Sequence, residues 1–258
     1  MISLGIIIVD YQSDPLLDEA ISSIRSSQVQ FKFKIVVVEN CPIKHRLDSP
    51  QDSEIQFLPQ RGNLGFARAV NLARYQLSTP YLLVMNPDTR LLPETLSTLY
   101  GYLEKHKNVG LVVPKLISPN RSLQFSARRF YDFPTVLFRR TFLGRIFPNH
   151  PIIRRHLMAD WDHNDVREID WALGACMMIR AEAVGEAVFD SRFFLYFEDV
   201  DLCLRLRKAG WRVVYHPQAV AIHDHRQSSR KKLLSRANYE HLLSWIKFVL
   251  KHRSISGV

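Results

Sequence analysis

Four short aliphatic runs in the first third of the chain, each closing on polar residues, constrain the fold more than any other feature. Gly5 to Val9 ends at Asp10-Tyr11, Lys34 to Val38 ends at Glu39-Asn40-Cys41-Pro42, Ile55 to Leu58 leads to Arg61-Gly62-Asn63-Leu64-Gly65, and Tyr81 to Met85 stops at Asn86-Pro87-Asp88-Thr89. Between the first two runs, Leu16, Leu17, Ala20, Ile21 and Ile24 recur at helical spacing; before the fourth, Phe66, Ala69, Val70 and Ala73 do the same. Strands that are apolar throughout, alternating with amphipathic helices, predict a mostly parallel sheet covered on both faces. Ligands of such sheets bind beyond the carboxyl ends of the strands. The fold would therefore gather Asp10, Glu39, Asn63 and Asp88 along one edge. Turn chemistry competes as a reason for any one of them, because Asp and Asn are favoured in loops. Four in register are harder to assign to turns alone.

Beyond the first third the pattern loosens. From about Pro114 to Ile169 the chain is Arg-rich and aromatic, broken by Pro119, Pro134, Pro148 and Pro151, and predicts an irregular excursion or a few short helices. Trp171 to Arg180 reads as one apolar strand, with Gly174 allowing close backbone approach. Phe193 to Phe197 leads into a helix starting at Glu198-Asp199, with Leu202 and Leu206 as its buried stripe, an Asp201–Arg205 pair on its surface and Gly210 as its stop. Trp211 to Tyr215 gives another strand, and His223-Asp224-His225 follows Ala219 to Ile222. Tyr239 to His252 predicts a basic amphipathic helix with Leu242, Leu243, Ile246, Val249 and Leu250 on one face.

Composition narrows the class. With 47% hydrophobic and 23% charged residues over 258 positions, the chain has enough apolar material for a real core and is not a disordered chain. Cys41, Cys176 and Cys203 form no short-spaced pair, which argues against a zinc ribbon or disulfide framework and suits a reducing cytosol. No apolar run approaches the roughly 20 residues that span a bilayer. The start, Met-Ile-Ser-Leu-Gly-Ile-Ile-Ile-Val-Asp, lacks a basic segment and a small-residue cleavage site, and reads as a buried strand rather than a secretory signal. The net charge of +10 is unevenly placed, with one cluster from Arg121 to Arg155 and another from Arg226 to Arg236. Such patches attract nucleic acid, anionic lipid headgroups or phosphorylated substrates.

Two features carry chemistry. Glu198-Asp199 is delivered by five apolar or aromatic residues, an environment that makes ionisation costly and suits a general base or a metal ligand; a charged first helical turn is the competing explanation. Asp88, at the end of a buried strand, offers an oxygen ligand for a hard divalent cation whose shell a nucleotide diphosphate would help to fill, and His223 or His225 would add a nitrogen suited to manganese. No glycine-rich phosphate loop is present, so phosphate binding would fall to metal and basic side chains.

Taken together, the segments Ile6 to Tyr11, Val36 to Asn40, Asn63 to Ala67 with Asn71, Met85 to Asp88, Trp171 to Cys176, Phe193 to Arg205, Ala209 to Trp211, and His223 with Ser228-Ser229 resemble family 2 inverting glycosyltransferases of the GT-A fold, in the bacterial rhamnosyltransferase-like branch. The resemblance implies a single α/β domain over 1–258: a nucleotide-sugar-binding half to about 115, an acceptor and catalytic half over about 116–230, and the basic amphipathic helix beyond about 231. It implies donor contacts from Asp10, Tyr11, Glu39, Asn63, Asn71, Asn86 and Asp88, with Arg226 or Arg230 steadying the leaving group. It implies Mn2+ or Mg2+ at Asp88 and His223, Asp199 as the general base with Glu198 in support, and an acceptor side formed by Trp171, Gly174 and Ala175. Three positions depart from the family pattern. Glu39 stands where aspartate is common, Asn86 where many members are acidic, and Arg226-Gln227 where glycine is frequent.

The implied reaction is a single displacement at an anomeric carbon, with inversion. The implied donor is a nucleotide-diphosphate sugar, by resemblance dTDP-L-rhamnose, and the acceptor a hydroxyl of a glycan or polyprenyl-diphosphate-linked sugar in cell-surface polysaccharide synthesis. The basic patches are read as facing an anionic membrane surface on its cytoplasmic side, with the C-terminal helix in the interface or packed on the domain. A sugar nucleotidyltransferase would need a phosphate loop that Asp10-Tyr11-Gln12-Ser13 does not supply. A nucleic-acid-binding protein has only the charge in its favour and no recognised motif, so no nucleic acid is expected as a partner.

Overall fold

The computed structural model describes residues 2–42, 53–140, 143–224 and 236–252. The first half runs β1 (Leu4–Asp10), α1 (Leu16–Arg25), β2 (Phe33–Glu39), β3 (Ile55–Pro59), α2 (Phe66–Arg74), β4 (Tyr81–Met85), β5 (Thr89–Leu91), α3 (Thr95–Lys105) and β6 (Val109–Ile117). The middle holds β7 (Ala127–Arg128), α4 (Phe133–Arg140), α5 (Leu143–Ile146), α6 (Pro151–His156), β8 (Arg167–Glu168) and β9 (Trp171–Ala172). The chain ends with β10 (Cys176–Arg180), α7 (Ala181–Val184), α8 (Glu198–Lys208), β11 (Arg212–His223) and α9 (Arg236–Lys251).

The large sheet has the order β3-β2-β1-β4-β10-β6-β11-β5, with β8 also on β11. β3, β2, β1 and β4 are mutually parallel, as are β6 and β11, and β10 lies antiparallel between β4 and β6. Alternation within the apolar runs fills two cores at once. Ile7, Val9, Val36 and Val84 face α2 and α8, while Ile6, Ile8, Val37 and Leu83 face α1 and α3. That is why these strands carry no polar alternation. Asp10 pairs in register with Glu39, and Met85 lies beside Ile8, so the polar ends of the strands do share one edge.

Four sequence expectations need correction. Trp171 to Arg180 is two strands in two sheets: β9 pairs with β7, β10 joins the large sheet, and Leu173 to Ala175 turn between them. Trp211 to Tyr215 and Ala219 to Ile222 belong to one strand, β11, which absorbs Pro217 in a register shift between His216 and Val220. A bulge is where a proline can sit inside a sheet. β6 carries Pro114 opposite His216 at the same irregularity, which is why that run does not read as a strand from sequence. Asp201 and Arg205 do pair, at 2.9 Å, but Asp201 is fully buried rather than on the surface.

The fourth concerns α9. Its stripe of Leu242, Ile246, Val249 and Leu250 is 51%, 40%, 39% and 55% exposed, so the predicted apolar face points away from the domain. The helix docks instead through a second face containing Ser244, Phe248 and His252, all buried. None of the helices among the described residues is long and apolar enough to cross a membrane.

Candidate active site

Beyond β4, a tight turn presents Asp88, and the end of β11 brings His223 to it, with His223 Nε2 3.4 Å from Asp88 Oδ1. Gln124 sets the imidazole. Its Nε2 donates to the His223 carbonyl at 2.8 Å, which leaves its Oε1 to face His223 Nδ1, also at 2.8 Å. A carbonyl oxygen only accepts, so Nδ1 carries a proton and Nε2 is the nitrogen that faces the carboxylate. Asp88 Oδ1 is buried and has no hydrogen-bond partner among the described residues. A carboxylate oxygen and an imidazole nitrogen at this distance can share a cation, a proton or a metal ion. Among the described residues no group of three or more His, Cys, Asp or Glu side chains could hold a metal. Any ion here would take much of its shell from outside the protein, as hard cations at phosphate sites do.

The turn between β9 and β10 joins this corner to the carboxylate pair. The Ala175 carbonyl accepts from the Asn86 backbone N–H at 3.0 Å and from Thr89 Oγ1 at 3.2 Å, while the neighbouring Gly174 N–H donates to Asp199 Oδ2 at 3.2 Å. Asp199 Oδ1 accepts from the Val200 N–H at 2.8 Å. Asp199 is partly exposed and Glu198 is buried at 6% exposure, so the two adjacent carboxylates are not equivalent. Burial pushes Asp199 up to about 6, against the backbone N–H bonds and the Arg128 charge, which pull it down. Burial and the Asp199 charge push Glu198 well above the usual carboxylate range, and its Oε2 has no hydrogen-bond partner among the described residues. When one of the pair ionises, it is Asp199, and Glu198 keeps its proton.

The backbone just before the pair is strained. Tyr196 and Phe197 both have φ of +67°, a region that bulky residues enter only when their surroundings hold them there. On the N-terminal side, Gly65 at φ +82° lets the α2 entrance come against Phe194: a Cβ there would lie 2.6 Å from the Phe194 carbonyl oxygen. The Phe66 N–H donates to that same oxygen at 2.8 Å. Only glycine satisfies both the positive φ and the close approach.

At the strand edge, Asp10 accepts from the Ser13 N–H at 3.1 Å and from its hydroxyl, and Tyr11 is 52% exposed. Asn40 and Asn63 interlock: Asn40 Nδ2 donates to Asn63 Oδ1 at 3.0 Å, and the Leu64 N–H donates to Asn40 Oδ1 at 2.8 Å. Glu39 and Asp10 are both buried.

The model of the family described as Glycosyltransferase like family 2 matches residues 3–238. The chain belongs to that family. An N-acetylglucosaminyl-diphospho-decaprenol L-rhamnosyltransferase of Mycobacterium tuberculosis is 26% identical over 268 residues, spanning 96% of this chain and 85% of its own. The rhamnosyltransferase WbbL of Escherichia coli is 30% identical over 182 residues, 69% of this chain and 64% of its own. A solved structure of GalNAc-T7 with UDP, GalNAc and Mn2+ superimposes with a TM-score of 0.70 over 96% of this chain at 12% identity. This chain spans about half of that one, 48%, and the likeness is one of fold. The α/β architecture is that of GT-A glycosyltransferases, as the sequence led us to expect.

Several residues expected at the glycosyltransferase site have side chains that are buried or bonded within the fold. Asn71 is buried and spends both ends of its amide on the chain: Nδ2 donates to the Phe189 carbonyl at 2.7 Å and Oδ1 accepts from the Phe189 N–H at 3.0 Å. Trp171 and Ala175 are 3% and 2% exposed, so neither side chain is open to an acceptor. The Trp171 indole N–H donates to the Arg129 carbonyl at 2.8 Å, and its ring lies under the Arg128 guanidinium, 5.3 Å away. Gly174 contributes through its backbone alone. The arginine cluster is partly neutralised from within, since Asp170 pairs with both Arg129 and Arg207, and Arg154 with Asp160 at 2.7 Å. His225, Arg226 and Arg230 lie outside the described residues. Gln124 was not legible in the sequence, because it sits in the aperiodic middle segment, 99 positions from the histidine it orients.

Proposed function

We propose that this glycosyltransferase moves L-rhamnose from dTDP-L-rhamnose to a hydroxyl of a glycan or polyprenyl-diphosphate-linked acceptor in cell-surface polysaccharide synthesis, with inversion at the anomeric carbon. The observation that carries this reading is the pairing of a partly exposed carboxylate raised to about 6 with an Asp88–His223 corner, the two tied through Gly174 and Ala175. A single displacement needs a base on the acceptor side and charge stabilisation on the leaving-group side. Asp199 takes the acceptor proton, and Glu198, held neutral, leaves it the only negative charge of the pair. The names of the two rhamnosyltransferase relatives support the sugar, and that of the Mycobacterium protein supports a lipid-diphosphate acceptor.

The residues fit a divalent cation, Mn2+ or Mg2+, because Asp88 Oδ1 is buried with no hydrogen-bond partner among the described residues and lies 3.4 Å from His223 Nε2, an oxygen and a nitrogen of the ligand types such ions take. Asp88 and His223 would hold it beside the donor diphosphate, where a bound ion neutralises charge building on the leaving group. Asp10, Tyr11, Glu39, Asn63 and Asn86 form the donor edge in the half up to about residue 115, and residues from about 116 to 230 form the acceptor half. Arg226 or Arg230, both outside the described residues, would steady the leaving diphosphate. Gln124→Ala frees the imidazole to rotate and is expected to weaken Mn2+ binding ~10–100-fold, as other removals of a ligand's orienting partner do, measured by calorimetry with dTDP present.

The exposed stripe of α9 fits an anionic membrane on the cytoplasmic side, where an acceptor of this kind is anchored and where three unpaired cysteines stay reduced. The protein is then expected to float with anionic vesicles. A thermal-shift panel of nucleotide sugars with and without Mn2+ tests the reading as a whole, since a true donor stabilises the fold by mass action. Stabilisation by dTDP-L-rhamnose and a product of inverted configuration are the expected results; a retained configuration overturns the mechanism.

A further inference from the structure

The strained turn that delivers Glu198 and Asp199 has to be held by its surroundings; among the described residues Tyr131 packs on Phe197 at 5.8 Å, and α9 lies along the segment as a whole. The His241 ring packs against both left-handed residues, with centroids 4.9 Å from Tyr196 and 5.3 Å from Phe197, and Phe248 packs on Phe197 at 5.4 Å. Ser244 Oγ donates to the Leu195 carbonyl at 2.8 Å, one residue before the strained pair. Lys247 Nζ donates to the Arg192 carbonyl at 2.8 Å. At the end of the helix, Lys251 Nζ bridges Asp190 at 2.7 Å and the fully buried Asp201 at 2.6 Å, and His252 Nε2 lies 2.8 Å from the same Asp201 oxygen. The helix thus grips the segment from 190 to 201 at both ends and in the middle.

Nearly all of this helix lies beyond the family match, which ends at residue 238, while α9 runs from Arg236 to Lys251. The strained turn belongs to the matched region; much of what packs on it does not.

We propose that α9 is a latch that holds the catalytic turn in its left-handed conformation, with Ser244 and Lys251 as positioning residues for Asp199. This rests on the reading of Asp199 as the base. Strained backbone of this kind persists only when the surrounding structure over-determines it. Released from Ser244 and Lys251, the turn relaxes, water reaches the carboxylates, and Asp199 leaves the position fixed by the Gly174 N–H. Among the described residues, the charged and titratable groups on the elements packed around the pair include Asp201, Cys203, Arg205 and Arg207 from α8, Arg128 from β7, Tyr131 before α4, and His241, Lys247, Lys251 and His252 from α9. Lys251 meets Asp201 and Asp190, not Asp199, so its removal acts on Asp199 through position and hydration rather than by direct charge.

The test is the full-length double variant Ser244→Ala/Lys251→Met, with Lys251→Arg as the conservative control and Ser244→Ala alone as a milder variant should the double variant fold poorly. Hydrogen exchange followed by mass spectrometry is expected to rise in residues 193–203 and stay unchanged in β1 and β4, because local opening is confined to the segment that loses its contacts. The rate kcat is expected to fall about tenfold or more, as small misplacements of a reacting group do. Donor affinity is expected to hold, and the acid limb of the kcat profile to move to lower pH as the carboxylates gain water. Lys251→Arg is expected to restore the wild-type limb. Unchanged exchange over residues 193–203 overturns the latch, and so does a fall in kcat with an unmoved acid limb. If Asp199→Asn stays active, the base reading fails by itself, and the exchange measurement still decides whether α9 holds the turn.

Discussion

Asp199→Asn is expected to lower kcat by ~10²–10⁴-fold, the range for a positioned general base, while donor affinity stays unchanged. Asparagine keeps the size of the side chain and an acceptor for one of the two backbone donors, Val200 at 2.8 Å or Gly174 at 3.2 Å, so the turn keeps its shape while the site loses its proton acceptor. As the proposed base, Asp199 would be competent only when ionised. Its raised value therefore predicts that kcat falls as pH drops through about 6, well above the pH at which an ordinary aspartate would lose its charge. Steady-state kinetics across pH, with donor binding measured by calorimetry, checks both statements. Loss of donor affinity together with activity would make Asp199 a structural or metal residue instead.

Asp88→Asn is expected to be nearly as severe, ~10³-fold in kcat/KM, or about 4 kcal/mol of transition-state stabilisation. The backbone is not the reason, since the Asp88 carbonyl keeps its bond from the Asp224 N–H at 2.9 Å. What goes is the charge that faces His223. The stabilisation of the donor complex by Mn2+ in a thermal shift is expected to disappear with it, and chelation of the wild-type protein is expected to have a comparable effect on activity. Full activity of the wild type in excess chelator would remove the metal from the mechanism.

Much of the fold was legible because burial on both faces leaves a plain mark in sequence. β1, β2 and β4 lie within two residues of where their apolar runs predict them, and α2 carries its buried Ala69, Val70 and Ala73 on the predicted face. β6 and β11 were obscured by Pro114 and Pro217, prolines that only a shared irregularity between paired strands accommodates. The middle segment resisted reading because its short elements owe their form to long-range partners. The two-residue strand β7 exists through β9, with Ala127 paired to Ala172 and Arg128 to Trp171.

Of the site, the sequence by itself determined which residue types stand at the ends of buried strands, because a strand apolar throughout must stop where polar residues begin. Asp10, Glu39 and Asp88 could be named on that ground, and Glu198-Asp199 by its apolar approach. Only the tertiary structure decided which of them are open and which are spent. It made Asp199 the partly exposed member of the pair and Glu198 the buried one, buried the side chains of Asn71, Trp171 and Ala175, brought Gln124 to His223, and buried Asp201 beneath α9. Exposure, ionisation and hydrogen-bond satisfaction depend on neighbours distant along the chain, and local sequence carries no record of those neighbours.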